Sequence, residues 1–427
     1  MQYFGLDFGT TNSSLSWVGS DGKVELCSLD LTAVNPRVLR SLLYYSLDRR
    51  GFVVGQRAID EYLQEDMQGT LIQSIKTFLA DDSFEETFVH DRFYRLEDLI
   101  AFFFQAVHQV IRSLTDDDIA LVVGRPAVFV DRPEREQLAQ GRMRRAAQLG
   151  KFYDISFQYE PIAAGLAYES TLRAPELALI ADLGGGTSDF TVMRLGSGNQ
   201  GDRRHDILAS GGVYVGGDTF DARIMAIKLT PYFGGASTFR SMEGKAMPFP
   251  KPLLAQLSRW HHVGFLRNAR AREQLRRIRW TSSDPDAIDA LQELIESNCA
   301  FFLFQEIERA KTALSHEQET TLRFRRDSID IEERLTRTEL EQLIAPDIAA
   351  IESSMASTIA AAALRPSDIS SVFLTGGSAQ IPAIRALFER TFGADKLRAQ
   401  DYLTSVAFGL GYSAATLSRF PGSAAAC

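Results

Sequence analysis

Two stretches of the 427-residue chain carry the same device. Phe4-Gly5-Leu6-Asp7-Phe8-Gly9-Thr10-Thr11-Asn12-Ser13 is the first, and Leu179-Ile180-Ala181-Asp182-Leu183-Gly184-Gly185-Gly186-Thr187-Ser188-Asp189 is the second. Each runs from apolar residues through an Asp into a glycine-rich turn with Thr. Alternating β-type residues follow, as in Leu15-Ser16-Trp17-Val18 and Phe190-Thr191-Val192-Met193. The pattern reads as a β-hairpin with an acidic residue closing its first strand. Two such hairpins, a domain's length apart, predict a duplicated, two-lobed architecture.

Later segments extend both halves. Ile119–Gly124 reads as a buried strand, Glu134–Gly150 as a helix, and Glu160-Pro161-Ile162-Ala163-Ala164-Gly165-Leu166-Ala167 opens another. In the second half, Ser371–Leu374 is a strand, Thr375-Gly376-Gly377-Ser378 a turn and Pro382–Thr391 a helix. Leu403–Thr416, apolar and rich in small residues, predicts a packed closing helix. Strands alternating with helices give an α/β fold in both halves. Thr230–Pro252, rich in Gly, Pro, Phe and Ser, reads as a loop-like insertion leading into a basic helical segment, Arg259–Trp280. Phe102-Phe103-Phe104 reads as core.

Several function classes are excluded at this point. No Gly-x-x-x-x-Gly-Lys-Ser/Thr, His-Glu-x-x-His or Gly-x-Ser-x-Gly occurs. The three cysteines, Cys27, Cys299 and Cys427, are too scattered for a disulfide framework or a zinc cluster. The start, Met1–Leu6, reads as a strand rather than a leader, and no apolar run approaches the roughly 20 residues of a membrane helix. A cytoplasmic protein is expected. With 55 acidic against 46 basic residues, the net charge of -9 disfavours nucleic acid or an anionic membrane as partner.

The glycine-rich turns carry the chemistry. Glycines let backbone N–H groups approach phosphate oxygens, and Thr hydroxyls add donors. A carboxylate beside a phosphate site calls for a divalent cation between them. Two such tips across a cleft would clamp a Mg²⁺–nucleotide, whereas each tip alone is equally a tight hairpin turn.

Here the residues resemble a family. Asp7–Ser13 and Asp182–Asp189 are similar to the two phosphate motifs of the seventy-kilodalton heat-shock chaperones, within the actin-like ATPase superfamily. Glu160–Tyr168 resembles their connecting helix, and Val215-Gly216-Gly217-Asp218-Thr219-Phe220-Asp221 the stretch after the second phosphate motif. Glu308-Arg309-Ala310-Lys311 and Thr375–Pro382 look like their adenosine-contacting segments. The likeness runs in order from Met1 to about Thr416. It implies a two-lobed actin-like ATPase fold, duplicated and ribonuclease H-like, with a nucleotide cleft between lobe I (1–170) and lobe II (171–427). An insertion subdomain would occupy about 220–330 and the closing helix about 403–417.

Carried over by position, the resemblance implies ATP or ADP with Mg²⁺ as cofactors. Asp7, Asp182 and Asp189 would hold the metal's waters. Gly9, Thr10, Thr11, Asn12, Gly184, Gly185, Gly186 and Thr187 would line the phosphates. Lys76 would position the attacking water, with Glu160, Asp182 and Thr187 completing the catalytic set. Gly216, Gly217, Asp218, Glu308, Lys311, Ser315, Gly376, Gly377 and Ser378 would line the nucleoside end. Read singly, Lys76 is a surface lysine of an amphipathic stretch, Glu160 a helix N-terminal acid, and Glu308 and Lys311 an i, i+3 ion pair. Thr312, Gln380 and Leu403 depart from the family's Arg, Arg and Asp, all toward the adenosine end.

The expected function is Mg²⁺-dependent ATP hydrolysis coupled to a conformational switch. A small-molecule kinase of the same superfamily and a non-hydrolysing nucleotide-bound scaffold are the alternatives. Nothing after the closing helix reads as the family's peptide-binding domain, so the chain resembles the short YegD-type branch, a nucleotide-binding domain by itself. Arg259–Trp280 is either a solvated helix face or a docking surface for an acidic protein partner, with Trp260, Phe265 and Trp280 as apolar anchors.

Overall fold

The computed structural model describes residues 1–126, 133–169, 172, 174–196, 203–241, 243–258, 263–297, 299–399 and 404–419. The elements that position the site are strands β1 (Gln2–Phe8), β2 (Asn12–Val18), β3 (Val24–Leu26), β4 (Val38–Arg40), β5 (Ile119–Arg125), β6 (Asp154–Tyr159), β7 (Glu176–Leu183), β8 (Ser188–Leu195), β9 (Ile207–Val213), β10 (Ser371–Thr375) and β11 (Leu397–Ala399). The corresponding helices are α1 (Leu96–Leu114), α2 (Pro133–Leu149), α3 (Glu160–Glu169), α4 (Gly217–Ile224), α5 (Ala269–Thr281), α6 (Ala300–Ala313) and α7 (Ser405–Arg419).

Both predicted hairpins form, and each nucleates a sheet of the same plan. One sheet runs β6-β5-β1-β2-β3, with β4 also on β2, and the other runs β11-β10-β7-β8-β9. In each, the first hairpin strand pairs antiparallel with the second on one side and parallel with a crossover strand on the other. The repeated topology is the duplication read from the hairpins, and the mixed α/β architecture is the one expected.

Alternation within β1 explains how it is held. Phe4, Leu6 and Phe8 are fully buried on one face, where Phe8 packs on Phe103 and Phe104 of α1 at ring-centroid distances of 5.6 and 5.8 Å. Phe102 packs on Phe52 at 4.7 Å. The opposite face of β1 carries Gly5, where a Cβ would lie 2.5 Å from the Gly411 nitrogen of α7. Ser16 of β2 completes the seam by donating to the Ala407 carbonyl at 2.6 Å. A second apolar cluster joins Val122, Ile162, Ala163, Ile180, Met193, Phe373 and Leu410, so α3 and α7 share one core with both sheets.

By packing, the chain divides into two compact units. The first comprises Met1–Tyr214, Ile351–Ala379 and Phe388–Cys427, and contains both sheets; the second comprises Val215–Ala350 and Gln380–Leu387. One segment of the second unit differs from expectation. The insertion at 230–252 is not all loop: Thr238–Arg240 pairs with Ala246–Pro248 as a small hairpin. Within the described part of the basic segment, a 3-10 turn at Gly264–Arg267 leads into α5, which the Asn268 side chain caps by accepting from the Ala271 N–H at 2.9 Å. Arg259, Trp260 and Leu403 lie outside the described residues, as do 420–427 and the Phe265 side chain.

Helices α3 and α7 meet backbone to backbone, since a Cβ on Gly409 would fall 1.7 Å from the Ala163 carbonyl oxygen. Backbone cannot yield as a flexible side chain can. Gly409→Ala is expected to lower stability by roughly 3 kcal/mol, read as a lower urea midpoint at unchanged slope. An unchanged midpoint would mean that the two helices do not meet this closely.

Candidate active site

Register puts the two aspartates in equivalent places. Asp7 is the penultimate residue of β1, opposite Ser14, and Asp182 the penultimate residue of β7, opposite Asp189. The turn after Asp7 is pinned from outside. Ser41 donates its Oγ to the Gly9 carbonyl at 2.7 Å and its N–H to the Thr11 carbonyl at 2.8 Å. A Cβ at Gly9 would sit 2.2 Å from the Asn12 oxygen, so the turn closes only with glycine there. Thr10, Thr11 and Asn12 are partly exposed, and the buried Thr11 Oγ1 has no hydrogen-bond partner.

The second turn is built differently. The Gly184 N–H donates to the Thr187 carbonyl at 2.9 Å, and Thr187 Oγ1 donates to Asp189 Oδ2 at 2.7 Å. Ser378 Oγ reaches back to the Gly184 carbonyl at 2.8 Å. Gly376 has φ +82°, and a Cβ there would lie 2.3 Å from the Leu183 oxygen, so the third glycine-rich turn abuts the second. Around Gly186 and Gly377 the space is open to 4 Å, and Gly185 lies between Gly184 and Gly186 on the same turn.

Lys76 is not a solvated surface residue. It lies on one 3-10 turn, Ile75–Phe78, entered through Ser74 at φ 56°. Its Nζ donates to Glu160 Oε1 at 2.9 Å, with the two side chains only 10% and 13% exposed. Glu160 is the first residue of α3, so its carboxylate stands at a helix N-terminus. Burial alone would lower the Lys76 pKa, but Glu160 and then Asp7 outweigh it and the amine is held more firmly charged. The aspartates show the reverse. Burial, then Glu160, pushes Asp7 up to about 7 despite Lys76. Burial, then Glu160, Asp189 and Asp7, pushes Asp182 well above the carboxylate range, and burial raises Asp189 to about 6 against the bond from Thr187.

One lysine therefore faces four carboxylates, which leaves a surplus of buried negative charge. Among the described residues, no three His, Cys, Asp or Glu side chains converge closely enough to hold a bare metal ion. The donor set instead suits a hydrated divalent cation, bound by Asp7, Asp182 and Asp189 through its waters, which would offset that surplus. The orphaned Thr11 hydroxyl, among glycines, suits a phosphate oxygen.

The remaining candidates form a cluster in the second unit. Lys311 of α6 is not a surface residue: its side chain is only 13% exposed. Its Nζ donates to Asp221 Oδ2 at 2.9 Å and to the Gly217 carbonyl at 3.1 Å, both on α4. Burial raises Asp221 to about 6 against the pull of Lys311, with Glu308 and Asp218 adding negative charge. Asp221 Oδ1 also lies 2.9 Å from the Lys311 ammonium, so both carboxylate oxygens face it. Sequence reasoning gave Asp221 no role, although it closes the Gly216–Asp221 motif. Gly216 precedes α4, and Ser315, partly exposed, follows the end of α6. Thr187's bond to Asp189 was equally unread.

Comparison with known proteins agrees with the motifs. The family model described as Hsp70 protein matches residues 49–232 and 292–421. Proteins named Chaperone protein DnaK are similar throughout. That of Thermosipho africanus is 24% identical over 422 residues, covering 97% of this chain and 59% of its own length. The Thermosipho melanesiensis protein is 25% identical over 423 residues, with 97% and 59% covered. For Thermus thermophilus the identity is 24% over 435 residues, with 97% and 60% covered. The chain thus spans about 60% of the length of these relatives. Among the described residues, no helix is long and apolar enough to cross a membrane.

The raised aspartates predict a pH dependence. Between the ordinary aspartate pKa and about 7, the folded state holds more protons than the unfolded one, so stability falls as pH rises through this window. Asp7→Asn is expected to raise the melting temperature of the ligand-free protein at pH 8, with the gain shrinking toward pH 4. A gain equal at both pH values would show that Asp7 carries no strained charge.

Proposed function

Because the chain belongs to the Hsp70 protein family, we propose that it binds ATP and ADP with Mg²⁺, hydrolyses ATP slowly and serves as a nucleotide-driven switch in a chaperone cycle. The observation that carries this reading is the buried Lys76–Glu160 pair set among Asp7, Asp182 and Asp189. In hydrolysis, water attacks the γ-phosphorus and the bond to the bridging oxygen breaks. Catalysis then consists of placing the water and spreading charge. Lys76 would orient the water and offset γ-phosphoryl charge, with its ammonium kept protonated by Glu160. Thr10, Thr11, Asn12 and Thr187 would donate to phosphate oxygens beside glycines 9, 184, 185 and 186. Asp7, Asp182 and Asp189 would hold Mg²⁺ through its waters, and the bound ion would supply neutralisation of phosphate charge.

Gly216, Gly217, Asp218, Glu308, Lys311, Ser315, Gly376, Gly377 and Ser378 are assigned to the nucleoside end. Lobe I at 1–170, lobe II at 171–427 and the insertion at about 220–330 belong to the same proposal. So does a cytoplasmic setting, which suits the free, buried Cys27 and Cys299.

The reading is tested by Mg²⁺-dependent ATP hydrolysis beside ADP calorimetry. Lys76→Ala and Asp182→Asn are each expected to lower kcat by about 100-fold or more, with ADP still bound by Lys76→Ala. Binding without hydrolysis by the wild type would favour the scaffold alternative, and no binding at all would end the proposal.

A partner surface is also part of this reading. On α5, Arg270, Arg272, Arg276, Arg277 and Arg279 are exposed, and Trp280 is 85% exposed. Glu273 pairs with Arg276 and Arg277, and Asp289 with Arg279. An acidic protein segment with an apolar residue for Trp280 matches this face. Fluorescence anisotropy with a Glu/Asp-rich peptide is expected to lose its signal in Trp280→Ala/Arg276→Glu/Arg277→Glu while ATP hydrolysis persists. Equal binding by that variant, or tighter binding of single-stranded RNA, would overturn the assignment.

A further inference from the structure

The segment bearing Lys76 is a poor platform by itself. Residues 74–84 form a chain of tight turns: Thr77 N–H donates to the Ser74 carbonyl at 3.1 Å, Leu79 to Lys76 at 3.1 Å, Asp81 to Phe78 at 3.1 Å and Phe84 to Asp81 at 3.3 Å. Such a run closes few backbone bonds of its own and leaves carbonyls in need of donors. Leu79 and Ile75 are buried in the core, but they fix only one side of the run.

The other side is held by α2. The Arg142 guanidinium gathers four carbonyls of this one segment. Its Nη1 donates to Phe78 at 3.1 Å, Leu79 at 3.1 Å and Asp81 at 2.8 Å, and its Nη2 donates to Phe84. Two turns earlier, Arg135 forms a fork on Asp82, with Nη2 and Nε at 2.6 and 3.2 Å from the two carboxylate oxygens. Ala139, fully buried, lies between them on the same stripe of the helix. Only a planar guanidinium with five N–H donors can serve so many acceptors at once.

The same helix also connects to the neighbour of Glu160, by way of Arg125. Glu136 pairs with Arg125, the last residue of β5, and Gln140 Oε1 accepts from Arg125 Nη1 at 3.1 Å. The Arg125 guanidinium lies over the Tyr159 ring, 4.9 Å from its centroid, and Tyr159 immediately precedes Glu160. One helix thus touches the segment that presents Lys76 and, through Arg125, bears on the residue that precedes Glu160.

We infer that α2 is a positioning element for the Lys76–Glu160 pair and that Arg142 is its principal positioning residue. As far as catalysis is concerned, the inference rests on the ATPase reading. The positioning itself does not, because it can be read from the reactivity of the Lys76 amine.

The test uses Arg142→Ala, Arg142→Lys in case the alanine variant does not fold, and Arg145→Ala as an exposed control on the same helix. Acetylation by an amine-reactive reagent, followed by mass spectrometry, compares Lys76 with Lys311, the other buried ion-paired lysine. Arg142→Ala should raise the rate at Lys76 several-fold and leave Lys311 unchanged, with Arg142→Lys intermediate. A general loosening would raise both, and either that result or no change at Lys76 overturns the inference. In turnover, Arg142→Ala should lower kcat by roughly tenfold or more while ATP affinity stays within about twofold. In a Lys76→Ala background it should lower kcat no further. An additive loss would show that Arg142 acts other than through Lys76. If the wild type does not hydrolyse ATP, the ATPase reading fails alone and the acetylation ratio still decides the positioning.

Discussion

A single ammonium group, Lys76 Nζ, stands 2.9 Å from Glu160 with Asp7 and Asp182 close enough to feel its charge, and most of the first unit can be understood as the frame for that arrangement. Ions taken from water are costly unless they are paired. Pairing Lys76 satisfies one carboxylate and leaves Asp7, Asp182 and Asp189 raised toward neutrality. Proteins commonly give up stability at such places for the sake of function.

Four separate segments must arrive at this point. The two aspartates come from equivalent strand ends, so one duplicated sheet plan delivers both. Glu160 comes from the start of α3, which is wedged against α7 by contacts that only glycine permits at 409. Lys76 comes from a segment without regular structure of its own, and the burden of holding it falls on side chains. That is why the arginines of α2 weigh more than surface arginines usually do. The second unit shows the same economy on a smaller scale, with Lys311 tied to the first turns of α4 by Asp221 and the Gly217 carbonyl.

Local features were legible in the chain. Hairpins with glycine tips, strands of alternating burial and the helices near 134–150 and 382–391 all depend on residues near one another in sequence. Legibility failed where a partner lies far away. Lys76 looked like a surface lysine of an amphipathic stretch because Glu160 is distant in the chain. Glu308 and Lys311 looked like a surface pair because helical spacing suggests it, whereas Asp221 on another helix takes the amine. Arg142 carries no local signal, because the carbonyls it serves, at 78, 79, 81 and 84, lie far earlier in the chain.

The chain by itself determined that an apolar strand, an Asp and a glycine turn occur twice, and hence that two sheets of one plan are built, because propensity, alternation and turn chemistry act over a few residues. Only the tertiary structure decided which amine meets which carboxylate. That choice depends on packing α2, α3 and α7 against both sheets, where burial removes water and turns a modest attraction into the force that orders the site.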